Sequence, residues 1–133
     1  MEAYTTIEEA RAFFADDRVA RDYGMKIEEL SEESCLCSME LTDNHRNSLG
    51  EVMGGVTFAF GDFAFAVAAN RIHRPTVSMT VTINYLSQVR GKVLYARSRR
   101  VKDGYTTCVY DIDITDDLGR PIAQFVATGY KKR

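Results

Sequence analysis

The sequence predicts an α+β domain in which an antiparallel β-sheet wraps around a long central α-helix. Three observations predict it. The run over residues 52–69 is apolar on every side, which marks a helix that other elements must cover. Six flanking segments either alternate apolar with polar residues or are rich in β-branched and aromatic ones, as strands are. Short polar or glycine-bearing turns join most consecutive segments, and such turns link antiparallel neighbours.

Taken in order, residues 6–21 carry Ile7, Ala10, Phe13 and Phe14 at helical spacing, with Glu8 and Glu9 early and Arg18 and Arg21 late. They read as one amphipathic helix capped at Thr6, within an N-terminal helical segment over 1–24. Residues 25–30 and 35–41 alternate and form a hairpin around the polar 31–34 turn. Past the central helix, strands are predicted over 76–86, 91–101, 105–115 and 121–130, with turn signals at Asp103-Gly104 and Leu118-Gly119 before the last two. No repeat, low-complexity tract or linker interrupts the chain, so residues 1–133 form a single domain. A domain of that size buries roughly two thirds of the surface its unfolded chain exposes.

A formal charge of −2 excludes a global field for nucleic acid or acidic lipid. Positive charge clusters locally at Arg97, Arg99, Arg100 and Lys102. The acidic N-terminus lacks the basic end and apolar run of a secretory signal, which predicts a cytoplasmic protein. Cys35, Cys37 and Cys108 cannot all pair within one chain and show no metal-ligand spacing, so they are expected as free packing thiols with no metal bound. The apolar run approaches the ~20 residues of a membrane span. Asp62 at its centre would cost roughly 3 kcal/mol there, which favours a core helix in a water-soluble domain.

A motif spans the start of that helix: His45, Asn47, Gly50, Gly54, Gly55, and then Asp62 seven positions beyond the second glycine of the pair. The pattern resembles the hotdog-fold acyl-CoA thioesterases, specifically the phenylacetate-pathway (PaaI-like) type within the 4-hydroxybenzoyl-CoA thioesterase-like superfamily. The likeness extends to the strand after the helix, which carries Ser78. It implies a hotdog fold and hydrolysis of an acyl-CoA to free acid and coenzyme A with no metal or bound cofactor. It also implies a homodimer, often a dimer of dimers, in which Asn47 and Gly54 of one protomer face Asp62 and Ser78 of the other. One position departs from the family: Met53 stands where a histidine usually precedes the glycine pair.

The residues suit that chemistry on their own terms. Thioester hydrolysis builds negative charge on the carbonyl oxygen, and preorganised donors lower its barrier. Helix N-terminal amides have no intrahelical acceptor, and glycines at 54 and 55 allow a substrate close to the backbone; the bland role of the pair is a tight turn. Asp62 lies between Phe58 and Ala59 on one turn and Phe65 and Ala66 on the next, with no cation within helical reach. Burial there raises its pKa and fits it to act as general base or as nucleophile; the bland role is an Asp satisfied by Ser or Thr hydroxyls where helix meets sheet. Gly54 and Asp62 are eight residues apart, about 12 Å along a helix, too far to meet at one carbonyl, so a shared dimeric site follows.

Asn47 orients water or thioester, or serves only as a turn residue. Ser78 is a helper hydroxyl or a solvent-facing one, and His45 touches substrate or steadies the Asn47 turn. His73 reads as a solvated loop residue. Met53, Phe58, Phe63, Phe65 and Tyr85 are expected in the pocket wall. Arg97, Arg99 and Arg100 either hold coenzyme A phosphates or form a solvated strand face. The substrate class is a small aromatic or medium-chain acyl-CoA. The rival readings are a non-catalytic acyl-CoA sensor, suggested by Met53, and a hotdog hydratase or dehydratase, disfavoured because no histidine lies in the central helix.

Overall fold

A computed structural model of the chain describes residues 2–133. Its helices are α1 (Ile7–Phe14), α2 (Arg18–Tyr23) and α3 (Gly54–Ile72). Its strands are β1 (Met25–Leu30), β2 (Cys35–Glu40), β3 (Thr76–Tyr85), β4 (Val93–Asp103), β5 (Thr107–Asp116) and β6 (Pro121–Lys131). The strands form one sheet in the order β1-β2-β4-β5-β6-β3, antiparallel at every pairing. The predicted α+β architecture is therefore the observed one.

The sheet turns one face to α3. Cys35, Cys37 and Met39 from β2, Leu94 and Ala96 from β4, Tyr110, Ile112 and Ile114 from β5, and Phe125 and Ala127 from β6 are all buried. They enclose the core with Phe60, Ala64, Phe65 and Val67 of α3. All three cysteines are free and buried, as packing thiols should be. The helix lies close enough to the sheet that a Cβ on Gly61 would fall 2.6 Å from the Phe125 ring, so glycine is required there.

Two expectations need correction. The segment over 6–21 is not one helix. Thr6 does cap α1, its hydroxyl accepting the Glu9 amide at 3.1 Å, but the helix stops at Phe14. Asp17 then caps α2 by accepting the Ala20 amide at 3.0 Å, an arrangement that competes with helix continuation. The corner lets Phe14 pack edge-on against Phe63 at 5.4 Å while Ala20 is buried.

Nor is α3 covered all round. Gly55 and Phe58 are exposed and Ala59, Asp62 and Ala66 only half-buried, residues whose spacing places them on one stripe. β3 is equally bare. It pairs only with β6, and Val77, Met79, Tyr85 and Leu86 stay open to solvent. No helix among the described residues is long and apolar enough to cross a membrane.

Candidate active site

The loop before α3 is braced by His45. Its ring is buried; Nδ1 accepts the Thr42 amide at 2.9 Å and Nε2 donates to the Tyr23 carbonyl at 2.8 Å. With both nitrogens engaged and the ring tilted over Tyr23, His45 is a strut between the loop and α2. Its carbonyl accepts the Met53 amide at 2.9 Å, which sets the chain's entry into the helix. Asn47 Oδ1 accepts the amides of Leu49 at 2.9 Å and Glu51 at 3.2 Å, closing the loop. Asn47 is exposed, and its Nδ2 has no acceptor among the described residues.

At the start of α3 the Met53 carbonyl accepts the amides of Val56 and Thr57. The amides of Gly54 and Gly55 have no acceptor among the described residues, so two adjacent donors point out of the helix N-terminus, where the dipole is positive. Tyr85, from the end of β3, donates its hydroxyl to the Gly54 carbonyl at 2.7 Å. A Cβ on Gly54 would meet the Tyr85 ring at 3.3 Å, whereas one on Gly55 would meet only Met53 Cε at 4.0 Å. Met53 and Tyr85 are both exposed here, and Tyr85 borders a groove of about 360 Å3 lined by Glu51, Val52, Thr57, Leu86 and Ile122 among others.

Asp62 sits in the middle of the bare stripe of α3, without a salt-bridge partner among the described residues. Burial pushes its pKa above the ordinary aspartate value. The Ser78 hydroxyl, facing it from β3 of the same chain, opposes the shift by favouring the carboxylate, and the like charge of Asp17 adds to it. Asp17 escaped the sequence reading because its partner lies on a different element; its cap position was the only local signal. Since α3 is one unbroken helix, Gly54 and Asp62 stand about 12 Å apart in the chain.

The expected pocket wall divides. Phe58 is exposed on the same stripe as Asp62 and packs edge-on against Phe125 at 5.3 Å. Phe65 is a core residue, 1% exposed and packed edge-on against Tyr110 at 5.9 Å. The arginines do not form a free cationic cluster. Arg97 pairs with Glu29 at 3.3 Å, Arg100 with Glu33 at 3.5 Å, and Arg99 with Asp111 across the strand pair. His73 follows the last residue of α3, and its Nε2 meets the Lys132 carbonyl at 2.7 Å in an exposed contact. Among the described residues no group of three or more His, Cys, Asp or Glu side chains has the proximity to hold a metal ion.

Comparison with known proteins places this fold in a family. Residues 49–123 match the thioesterase superfamily. The acyl-coenzyme A thioesterase PaaI of Escherichia coli is 30% identical over 117 residues, covering 87% of this chain and 84% of that protein. Mouse acyl-coenzyme A thioesterase 13 is 30% identical over 96 residues, 69% of each chain. The solved structure of the E. coli PaaI protein, from the phenylacetic acid degradation operon, superposes with a TM-score of 0.89 at 27% identity, covering 95% of this chain and 92% of that one.

Proposed function

The chain belongs to the thioesterase superfamily, as a PaaI-like hotdog thioester hydrolase, and on that premise we propose that it hydrolyses a small aromatic or medium-chain acyl-CoA at a site shared by two subunits. Asp62 is the general base or nucleophile, and the Gly54 and Gly55 amides bind the developing oxyanion. The observation that carries this reading is the half-buried Asp62, unpaired and with a raised pKa, on the one stripe of α3 that its own sheet leaves bare.

In the base route, Asp62 takes a proton from water as its oxygen bonds to the thioester carbon. In the nucleophile route, the carboxylate bonds to that carbon and water later cleaves the anhydride. Either way the carbonyl electrons move onto oxygen, held by the two free amides, and return as the C–S bond breaks and the coenzyme A thiolate leaves. Asn47 Nδ2 is placed to orient the thioester or the water, and Ser78 to hold the Asp62 carboxylate.

A homodimer follows from the same features. A bare apolar stripe on α3 and a ten-residue edge strand bearing Val77, Met79 and Tyr85 are surfaces a water-soluble protein covers, and a second copy related by a twofold axis covers both. Such a dimer brings Gly54 of one copy to Asp62 of the other, and a dimer of dimers extends it. The test is free-thiol release from a panel of aryl- and alkyl-CoA thioesters. Turnover by the wild type that falls at least about a hundredfold in Asp62→Asn supports the reading. Binding of these thioesters without any turnover by the wild type would sink it.

A further inference from the structure

One buried carboxylate plays no part in the chemistry described so far. Asp116, the last residue of β5, is 2% exposed and forms no salt bridge among the described residues. Its charge is met instead by four backbone amides from two segments. Oδ2 accepts those of Arg90 at 3.1 Å and Gly91 at 3.0 Å, and Oδ1 accepts those of Leu118 and Arg120, both at 3.1 Å. Asp117, which is exposed, adds to the clamp, its Oδ1 accepting the Lys92 amide at 2.8 Å and the Val93 amide at 3.3 Å. The fit leaves no room for a side chain at Gly91, where a Cβ would overlap Asp117 Oδ1.

The two clamped segments meet again at the groove beside Gly54. The Ile122 carbonyl accepts the amides of Leu86 at 2.8 Å and Ser87 at 3.4 Å. Segments 86–91 and 118–122 are thus tied together at both ends, by Ile122 at the groove and by Asp116 behind it. Leu86, Ser87, Gln88, Val89 and Ile122 all line the groove, so this hydrogen-bonded ring forms one of its walls.

That wall suits one arm of an acyl-CoA. Thr57, Ser87 and Gln88 offer hydroxyl and amide groups among the aliphatic Val52, Val89 and Ile122, a mixture that matches the amides and short alkyl runs of pantetheine. Arg90 and Lys92 continue the same segment, exposed and in no salt bridge among the described residues. Free positive charge there favours an arm ending in phosphates over an apolar acyl tail.

We propose that Asp116 is a positioning residue for the coenzyme A arm of the substrate. By clamping Arg90 and Gly91 to the 118–120 turn, it fixes the wall of Ser87, Gln88 and Val89 against which that arm lies, and it touches no substrate itself. The inference rests on the thioesterase reading above and adds a residue that governs affinity for the coenzyme A half, apart from the chemistry at Asp62.

The test is calorimetric binding of free coenzyme A, together with kcat and KM for octanoyl-CoA, in the wild type, Asp116→Asn and Asp117→Ala. Asparagine puts an NH2 group where one carboxylate oxygen faced two amide donors, so the clamp opens on one side. In a folded Asp116→Asn, the Kd for coenzyme A and the KM are each expected to rise at least about tenfold, with kcat within about twofold of wild type. Asp116 is buried and its variant risks misfolding, whereas Asp117 is exposed and its variant keeps the test alive. Asp117→Ala is expected to raise both constants at least about threefold. A purely structural role would lower kcat through the active fraction and leave Kd and KM unchanged, and that result in either folded variant overturns the proposal. Hydrolysis of no thioester by a wild type that binds coenzyme A overturns the thioesterase reading, while the Kd comparison still decides the role of Asp116.

Discussion

The Tyr85 hydroxyl donates to the Gly54 carbonyl at 2.7 Å, tying the last residue of the free edge strand to the first residue of the central helix. The bond turns β3 into a brace for the two unbonded amides at the helix start. Tyr85→Phe removes the brace and keeps the ring. A single exposed hydrogen bond contributes about 1 kcal/mol, so kcat is expected to fall severalfold with KM nearly unchanged. A rise in KM at constant kcat would show instead that Tyr85 touches substrate directly.

The two glycines should respond differently to a methyl group. On Gly54 the added carbon presses the Tyr85 ring at 3.3 Å, while on Gly55 it meets only the flexible end of Met53. Gly54→Ala is expected to lower kcat at least several times more than Gly55→Ala. Gly55→Ala should leave the melting temperature unchanged or raise it, since alanine is the better helix former by up to ~1 kcal/mol. Equal effects in steady-state kinetics would mean that the Tyr85 contact does not constrain the turn.

Packing between helix and sheet is tested at Gly61. A Cβ there would lie 2.6 Å from the Phe125 ring, which is fully buried and also held by Phe58. Gly61→Ala is expected to destabilise by about 1–3 kcal/mol through overpacking, outweighing its gain in helix propensity. Thermal unfolding at fixed protein concentration measures this, and an unchanged or raised melting temperature would refute it.

Much of this arrangement was legible in the chain itself, and what was not has identifiable causes. The six strands were readable because alternation and turn residues such as Gly104 and Gly119 are local signals. The break at Asp17 was hidden because Arg18 and Arg21 continue a plausible helical charge pattern across it. Phe58 and Phe65 could not be told apart, since a helix apolar on every side carries no sign of which stripe the sheet will cover. The partners of Arg97, Arg99 and Arg100, namely Glu29, Asp111 and Glu33, depend on strand register and tertiary packing. His45's second partner, the Tyr23 carbonyl, is 22 residues away in sequence.

The pH profile reports on Asp62. Burial raises its pKa in the folded protein, so the acid limb of kcat/KM should lie above the ordinary aspartate value of roughly 3.9. Asp17→Asn removes a like charge yet still caps α2, so the limb should move to lower pH. The linkage has a definite sign. A carboxyl with a raised folded pKa contributes stability below its unfolded pKa and loses it as pH rises through the folded value. Asp62→Asn should therefore be no less stable than the wild type at neutral pH while far less active. An acid limb that Asp17→Asn leaves in place would remove Asp17 from this account.

Whether one site draws on two subunits is decided by mixing two inactive variants. Gly54→Pro deletes an amide donor at the first helical position, where proline is tolerated, and Asp62→Asn deletes the carboxylate. Each alone is expected to retain less than about a hundredth of wild-type thiol release. Refolded together in equal amounts, half the dimers are mixed and one of their two sites carries neither lesion, so about a quarter of wild-type activity should return. If activity stays at the level of the separate variants while mixed dimers are demonstrably present, Gly54 and Asp62 do not serve one carbonyl from opposite subunits.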